Sequence, residues 1–455
     1  MSYSASREPT SSAAPSTDAW IERDAAAVWH PFTQHSTWVA DEPTLVASAE
    51  GPWLIDLDGN RYLDGVSSLW VTTVGHCHPD INAAVKEQLD TLDHSTFLGT
   101  THRPGIELAE ALIDIAPQGE GPQLTKVFYA GDGSSAMEVA LKMSYQYSTQ
   151  TGHSRPKFVR LTSAYHGDTL GAVSAGGIDL FHQTYRPLLL QTIAAPSPGE
   201  RHEGIDQDDH VAACTEELGR IMAEHGSEVC AIVLEPLMQG AAGMLNYPAS
   251  YLQAARRLAT EHGALLVCDE VATGIGRTGR MWSVEHAGIV PDLLACGKGI
   301  TGGYLPLSAV LAAQHVWEGF LADGSTTPRT FFHGHTYTAN PLCCAAALAN
   351  LRIMREQDVV GQAAALGERL GELLAPLRDH PGVKEIRRHG TMIGVEVVDR
   401  GPRTGFEVCQ AVRGHGVWLR PLGNTVIVMP PLNLGEDETE LLAGALIKGI
   451  DEVLT

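Results

Sequence analysis

From about residue 125 onward, short apolar runs rich in β-branched residues alternate with longer amphipathic ones, and few folds accommodate that rhythm. The spacing predicts a strand over Lys126–Ala130, a helix over Ser134–Tyr147 and a strand over Phe158–Leu161. Two more strands are predicted over Val229–Leu234 and Ala264–Cys268, with a helix over Ser250–His262 between them. Strands that are apolar throughout are covered on both faces, and a strand–helix–strand succession joins parallel neighbours, so the expected class is α/β with a mainly parallel central sheet. Two of these strands run into an acid, Glu235 and Asp269, and open α/β sheets collect ligands at the carboxyl ends of their strands.

At 455 residues the chain has room for two to three domains. After Pro341 the pattern changes to two helical runs, two short strands near Val383–Arg387 and Thr391–Val397, another helix and a strand near Val426–Met429, which predicts a smaller α+β domain over 341–455. Residues 71–340 form the expected larger domain, and residues 19–70 an N-terminal segment packed on the smaller one. Residues 1–18, rich in Ser, Ala, Thr and Pro without an apolar stretch, read as a disordered tail rather than a signal peptide.

Charge and cysteine content narrow the partners. With 31 Lys and Arg against 54 Asp and Glu, the net charge of −23 repels a polyanion, so nucleic acid is not an expected ligand. The uncharged tract around Gly299–Trp317 is broken by glycines, Pro306 and polar residues, so no membrane span is expected. The eight cysteines show no CxxC spacing, which fits free thiols in a reducing cytoplasm. His76 and His78 precede Pro79 in a loop and are not read as metal ligands.

Three features carry chemistry. Lys298 is the only charged residue between Asp292 and Glu318, set in Gly297-Lys298-Gly299 just after an apolar run. Desolvation there lowers an ammonium pKa and frees the amine to attack a carbonyl; a lysine snorkelling from a strand end fits the same residues. Gly131-Asp132-Gly133-Ser134-Ser135 joins a strand to a helix, and its N–H groups suit a phosphate, though an ordinary Gly/Ser cap reads the same way. Asp269 emerges from the sheet interior, where a carboxylate needs a cation such as a protonated ring nitrogen, or else caps a helix.

Cradle, acid and lysine in this chain order match the anchors of pyridoxal 5′-phosphate. The run Asp269-Glu270-Val271-Ala272-Thr273-Gly274-Ile275-Gly276-Arg277-Thr278-Gly279, followed by Gly297-Lys298-Gly299 and Thr301-Gly302-Gly303, resembles the class III aminotransferases of the fold type I pyridoxal-phosphate enzymes, over about Trp29 to Pro431. Trp29-His30-Pro31-Phe32, Asp64-Gly65-Val66-Ser67-Ser68-Leu69-Trp70, Tyr165-His166-Gly167-Asp168-Thr169, His333-Gly334-His335-Thr336 and Trp418-Leu419-Arg420-Pro421-Leu422-Gly423 are most similar to the branch that aminates 8-amino-7-oxononanoate on the way to biotin.

The resemblance implies a role for each matching residue. Lys298 would attach to the coenzyme aldehyde and then shuttle a proton, Asp269 would keep the pyridine nitrogen protonated, and Tyr165 would stack on the ring. Gly133 and Ser134 would bind the phosphate with Thr336 from a second subunit, so a homodimer with a shared active site is implied. Arg420 would clamp a substrate carboxylate, Trp70 would line the slot for its methylene chain, and Phe32 and Gly334 would complete the substrate wall. Trp70 as plain core, Tyr165 as a strand-end aromatic and Arg420 in a surface ion pair are the rival readings.

The partners implied are an amino donor and a keto acceptor, both small molecules. Family members using S-adenosylmethionine typically carry Tyr where this chain has Phe32, Trp where it has Leu69, Pro where it has His335 and Tyr where it has Ile427. S-adenosylmethionine is the expected donor and lysine the alternative. An ω-amino acid:pyruvate transaminase, a pyridoxal-phosphate aminomutase and a non-catalytic phosphate-binding module are the competing functions.

Overall fold

The computed structural model describes residues 15–455 except 323 and 325–327. Its centre is a seven-stranded sheet in the order Leu124–Ala130, Ser308–Ala313, Leu293–Cys296, Leu265–Asp269, Val229–Leu234, Lys157–Leu161, Thr192–Ala195. Ser308–Ala313 runs antiparallel to both its neighbours, and the remaining pairs are parallel. The fold is α/β, as its sequence rhythm predicts. Every residue of the four strands from Val229–Leu234 to Ser308–Ala313 is buried. Alternate side chains point to opposite faces, so total burial means that both faces are covered.

A second, four-stranded antiparallel sheet has the order Val383–His389, Met392–Val397, Thr425–Val428, Arg420–Leu422. Its core of Leu366, Leu370, Val395, Val426 and Leu446 is separate from the larger one and includes Leu63 from the N-terminal strands. Those strands, Val46–Glu50, Trp53–Asp56 and Arg61–Asp64, are antiparallel, and the last pairs in parallel with Val417–Trp418.

The structure moves two expected boundaries. Helix Pro341–Glu356 was assigned by pattern to the smaller unit, but Cys343, Cys344, Ala346, Ala347, Ile353 and Met354 are buried in the larger core. The cores change over between Ala363 and Leu366, within helix Val359–Leu373. Pro341 is the first residue of its helix, where a missing N–H costs nothing, so it marks a helix start rather than a domain change. Of the expected tail, residues 1–14 lie outside the described residues, whereas Thr17 and Asp18 begin helix Thr17–Ala27, with the Ser16 side chain accepting from the Ala19 N–H. Among the described residues no helix is long and apolar enough to cross a membrane.

Candidate active site

The carboxyl ends of the parallel strands bring the sequence candidates to one edge of the sheet. Asp269 closes its strand at 5 % exposure and Glu235 follows its own strand at 5 % exposure. Lys298 opens a short 3₁₀ turn after Leu293–Cys296, with φ +43°, a left-handed conformation rarely accepted by a side-chain-bearing residue. The residue is half-buried, and its Nζ lies 5.2 Å from the centre of the Trp70 ring. Burial lowers the Lys298 pKa, and the Asp269 and Glu235 carboxylates oppose that shift.

Asp269 accepts from the Val271 N–H at 3.0 Å, while its other oxygen lies 2.7 Å from His166 Nδ1. Tyr165 donates its N–H to Glu235 (3.0 Å) and its hydroxyl to Asp168 (2.9 Å), whose N–H in turn donates to Ser134 Oγ (3.0 Å). One chain of hydrogen bonds therefore links the Tyr165 loop to the start of helix Gly133–Gln150. The close approach needs Gly167 (φ +117°), since a Cβ there would collide with Ser134 Oγ.

Trp70 is held by strain and by a buried acid. Ser67, Ser68 and Trp70 all have φ between +50° and +67°, and each such residue costs about 1–3 kcal/mol. Asp64, fully buried, accepts from the Ser68 N–H (2.8 Å) and hydroxyl (2.9 Å) and lies 2.8 Å from His76 Nε2. The Arg277 guanidinium donates to Thr72 O (2.7 Å) and to Pro430 O, tying the segment after Trp70 to the smaller sheet.

A cavity of about 540 Å³ is lined by Gly131, Asp132, Ser135, Gly334, His335, Thr336 and Tyr337. One chain thus brings its own Thr336 and Gly334 to the rim of the 131–135 turn. Asp132 caps the helix by accepting from the Ser135 N–H (2.8 Å), and its carbonyl accepts from Ser308 Oγ (2.6 Å). The N–H groups of Gly133 and Ser134 precede the first intrahelical bond and remain available. Available donors here, and an Nζ on Lys298 that makes no hydrogen bond or ion pair among the described residues, are free valences of the kinds a phosphate and an aldehyde satisfy. The residues present fit pyridoxal phosphate.

Phe32, 66 % exposed, joins through an edge contact with Phe181 at 5.6 Å, and Phe181 reaches Tyr165 at 6.1 Å. Arg420 is exposed and, among the described residues, engages no carboxylate, which disposes of the surface ion pair. With Trp418 and Leu422 it alternates along the chain, and those two residues pack on the cluster of Trp70, Met238, Met392 and Ile427. The structure draws Arg420 to the margin of the Trp70 cluster but gives it no direct contact with Lys298 or Asp269.

Residue types alone gave His166 and Glu235 no role. The His166 partner is 103 residues away, and its Nε2 is buried with no hydrogen-bond partner. Glu235 also accepts from the Gly240 N–H at 3.0 Å, and burial with the nearby Asp269 charge pushes its pKa up to about 7. The folded protein therefore binds a proton at Glu235 between roughly pH 4.5 and 7 that the unfolded chain releases, and this contribution to stability is lost as pH rises through that window. Glu235→Gln removes the titration, so its melting temperature relative to wild type should rise between pH 5 and pH 8. The hydrogen bond lost to the amide is a constant offset; parallel melting curves across this range contradict the assignment.

A class-III aminotransferase profile matches residues 35–450. The adenosylmethionine-8-amino-7-oxononanoate aminotransferase of Nitratidesulfovibrio vulgaris is 49% identical over 442 residues, 93% of this chain and 81% of that protein. The crystal structure of the similarly named enzyme of Methanocaldococcus jannaschii superposes with a TM-score of 0.89 at 36% identity, covering 97% of this chain and 100% of that one. An amine transaminase from an uncultivated Pseudomonas species, solved in its PLP-bound form, gives 0.87 at 33% identity over 94% of this chain and 98% of its own.

Proposed function

Since the chain belongs to the class-III aminotransferases and is a pyridoxal-phosphate-dependent transaminase, we propose that it aminates the ketone of 8-amino-7-oxononanoate to give 7,8-diaminononanoate in biotin biosynthesis, with S-adenosylmethionine as donor. The observation that carries this reading is the Lys298 amine, unpaired among the described residues, 5.2 Å from the Trp70 ring and within the electrostatic influence of Asp269 and Glu235. When bound, pyridoxal phosphate supplies an electrophilic aldehyde and a protonated ring that accepts the electron pair left behind when a substrate carbon loses its proton.

The chain's own residues do the rest. Lys298 Nζ anchors the coenzyme and carries the proton between carbon centres, a task that its burial-lowered pKa suits. Asp269, oriented by His166, would supply the negative charge that keeps the pyridine nitrogen protonated. Tyr165 would stack on the ring, and Gly133 and Ser134 would hold the phosphate; one chain's own Thr336 already lies at the rim of the 131–135 turn, so the homodimer with Thr336 contributed by a second copy rests on the family resemblance. Arg420 clamps the acceptor's carboxylate through its planar fork, while Trp70, Phe32 and Gly334 wall the apolar slot. The enzyme acts in the cytoplasm, which suits its eight free cysteines.

The test is a donor panel with 8-amino-7-oxononanoate as acceptor, read by mass for diaminononanoate. Product with S-adenosylmethionine supports the proposal, and no product with any donor overturns it. Phe32, Leu69, His335 and Ile427 depart from the S-adenosylmethionine pattern and leave the donor open, the stretches Gly297 to Pro306 and Phe331 to Thr338 are more similar to the lysine-using branch, and product with lysine alone selects that second reading. Arg420→Ala should raise the acceptor KM about ten- to a hundred-fold, the worth of a charge-assisted pair, and spare the donor half-reaction provided the donor's own carboxylate does not share that clamp. An unchanged acceptor KM would remove Arg420 from the acceptor's carboxylate.

A further inference from the structure

A second cavity, of about 480 Å³, opens behind the Tyr165 loop, between Arg160 on strand Lys157–Leu161, Ser174 on helix Leu170–Ala175 and the segment from Asp179 to Thr192. Its volume suits one small molecule. Arg160 lines it with two of its five N–H donors committed, Nε to Thr192 Oγ1 and Nη1 to Leu161 O, both at 3.2 Å. Its Nη2 donates to nothing, and no carboxylate among the described residues lies within ion-pair distance. Burial accordingly lowers the Arg160 pKa. The acid on this wall, Asp179, is already bound to Arg186 at 2.7 Å.

His182, on the same wall, is 4 % exposed, and neither ring nitrogen has a hydrogen-bond partner. Burial, with Arg160 adding to it, lowers the His182 pKa, so the ring is neutral and leaves Arg160 as the cationic group closest to this wall's interior, both ring nitrogens being sealed from solvent. Two glycines make room for both groups: a Cβ on Gly177 would lie 2.7 Å from Arg160 Nη1, and one on Gly176 would collide with the His182 ring. Leu189 and Leu190 add an apolar side. With Arg160 and Arg186 against Asp179, the wall carries a net charge of about +1.

We propose that this cavity is a second ligand site, distinct from the catalytic cleft, for a small organic carboxylate: the carboxylate docks on the free Nη2 of Arg160, and its apolar tail lies along Leu189 and Leu190, with the His182 ring forming part of the wall. A half-buried guanidinium with no carboxylate at ion-pair distance among the described residues suits an anion, and the planar fork and leucine side favour a carboxylate with a tail over inorganic phosphate. The site abuts the active-site rim, since Phe181, the neighbour of His182 in sequence, contacts both Tyr165 and Phe32.

The test titrates octanoate into the holoenzyme by calorimetry, using wild type, Arg420→Ala and Arg160→Gln, with inorganic phosphate as a second titrant. Arg420→Ala removes the active-site carboxylate contact of the function proposed above, so octanoate binding that survives in it reports on the second site. That binding should weaken about ten-fold or more on adding Arg160→Gln, the loss expected for a charge-assisted hydrogen bond. Unchanged octanoate binding in Arg160→Gln, or none left in Arg420→Ala, overturns the proposal. Phosphate binding in place of octanoate overturns the ligand class. Crystals of the wild-type holoenzyme soaked in 8-bromooctanoate give a reading independent of any variant: anomalous density against Leu189 and Leu190 supports the site, and density only beside Arg420 refutes it.

Discussion

Lys298→Ala is expected to lower turnover by about four orders of magnitude, the upper range of what a positioned proton carrier contributes, while the protein stays folded. The substitution exchanges one side chain for another at the same left-handed backbone position, so the strain at φ +43° is retained rather than relieved. Burial lowers the Lys298 pKa, so below the unfolded value of about 10.4 the unfolded chain binds this proton more readily than the folded one. The wild-type apoprotein therefore carries a destabilising contribution at neutral pH that fades as pH rises through that value, partly offset by the contact with Trp70. The apo variant should melt no lower than wild type at pH 7, and any advantage should shrink toward pH 10. Added methylamine should restore part of the activity, because only an amine is missing. Lys298→Arg should stay inactive, because its guanidinium never gives up the proton. Turnover of Lys298→Ala above about a hundredth of wild type would take the proton transfer away from this residue.

The candidate-site edge of the sheet is legible because burial on both faces writes a strand as an unbroken apolar run, and a charge at the end of such a run stands out. Glu235, Asp269 and Lys298 all announce themselves in this way. Residues whose partners are remote in sequence do not. His166 follows the conspicuous Tyr165, but its significance lies in a 2.7 Å contact with a residue 103 positions on. The left-handed stretch at Ser67, Ser68 and Trp70 contains no glycine to flag it and is sustained by Asp64 from the preceding strand, so local propensity had nothing to report. Pro341 misled for the opposite reason: a strong local signal marked a helix start and was read as a change of domain. The second cavity was invisible in sequence, since an arginine in the middle of a strand has no feature that says it lacks a counter-ion.

Asp269→Asn should be the second most damaging change, with turnover lower by about ten- to a hundred-fold, the worth of one hydrogen bond to a charged group at 1.5–3 kcal/mol. The amide keeps the shape of the carboxylate and can still accept from either the Val271 N–H or His166, at 3.0 and 2.7 Å in the wild type, so the backbone has no reason to move. The charge is lost, together with one of the two accepted hydrogen bonds. That charge acts on two neighbours in the same direction, since Asp269 raises the pKa of Lys298 and of Glu235. Without it both should titrate at lower pH, and the coenzyme absorbance that follows the lysine should shift its midpoint toward acid. His166→Ala separates orientation from charge: it leaves the carboxylate ionised, so turnover falls less than in Asp269→Asn and the absorbance midpoint stays nearer to wild type. An Asp269→Asn enzyme that keeps more than about a tenth of its turnover with an unmoved midpoint would mean that the ring nitrogen draws its countercharge from elsewhere, with Glu235 the remaining buried acid at this edge.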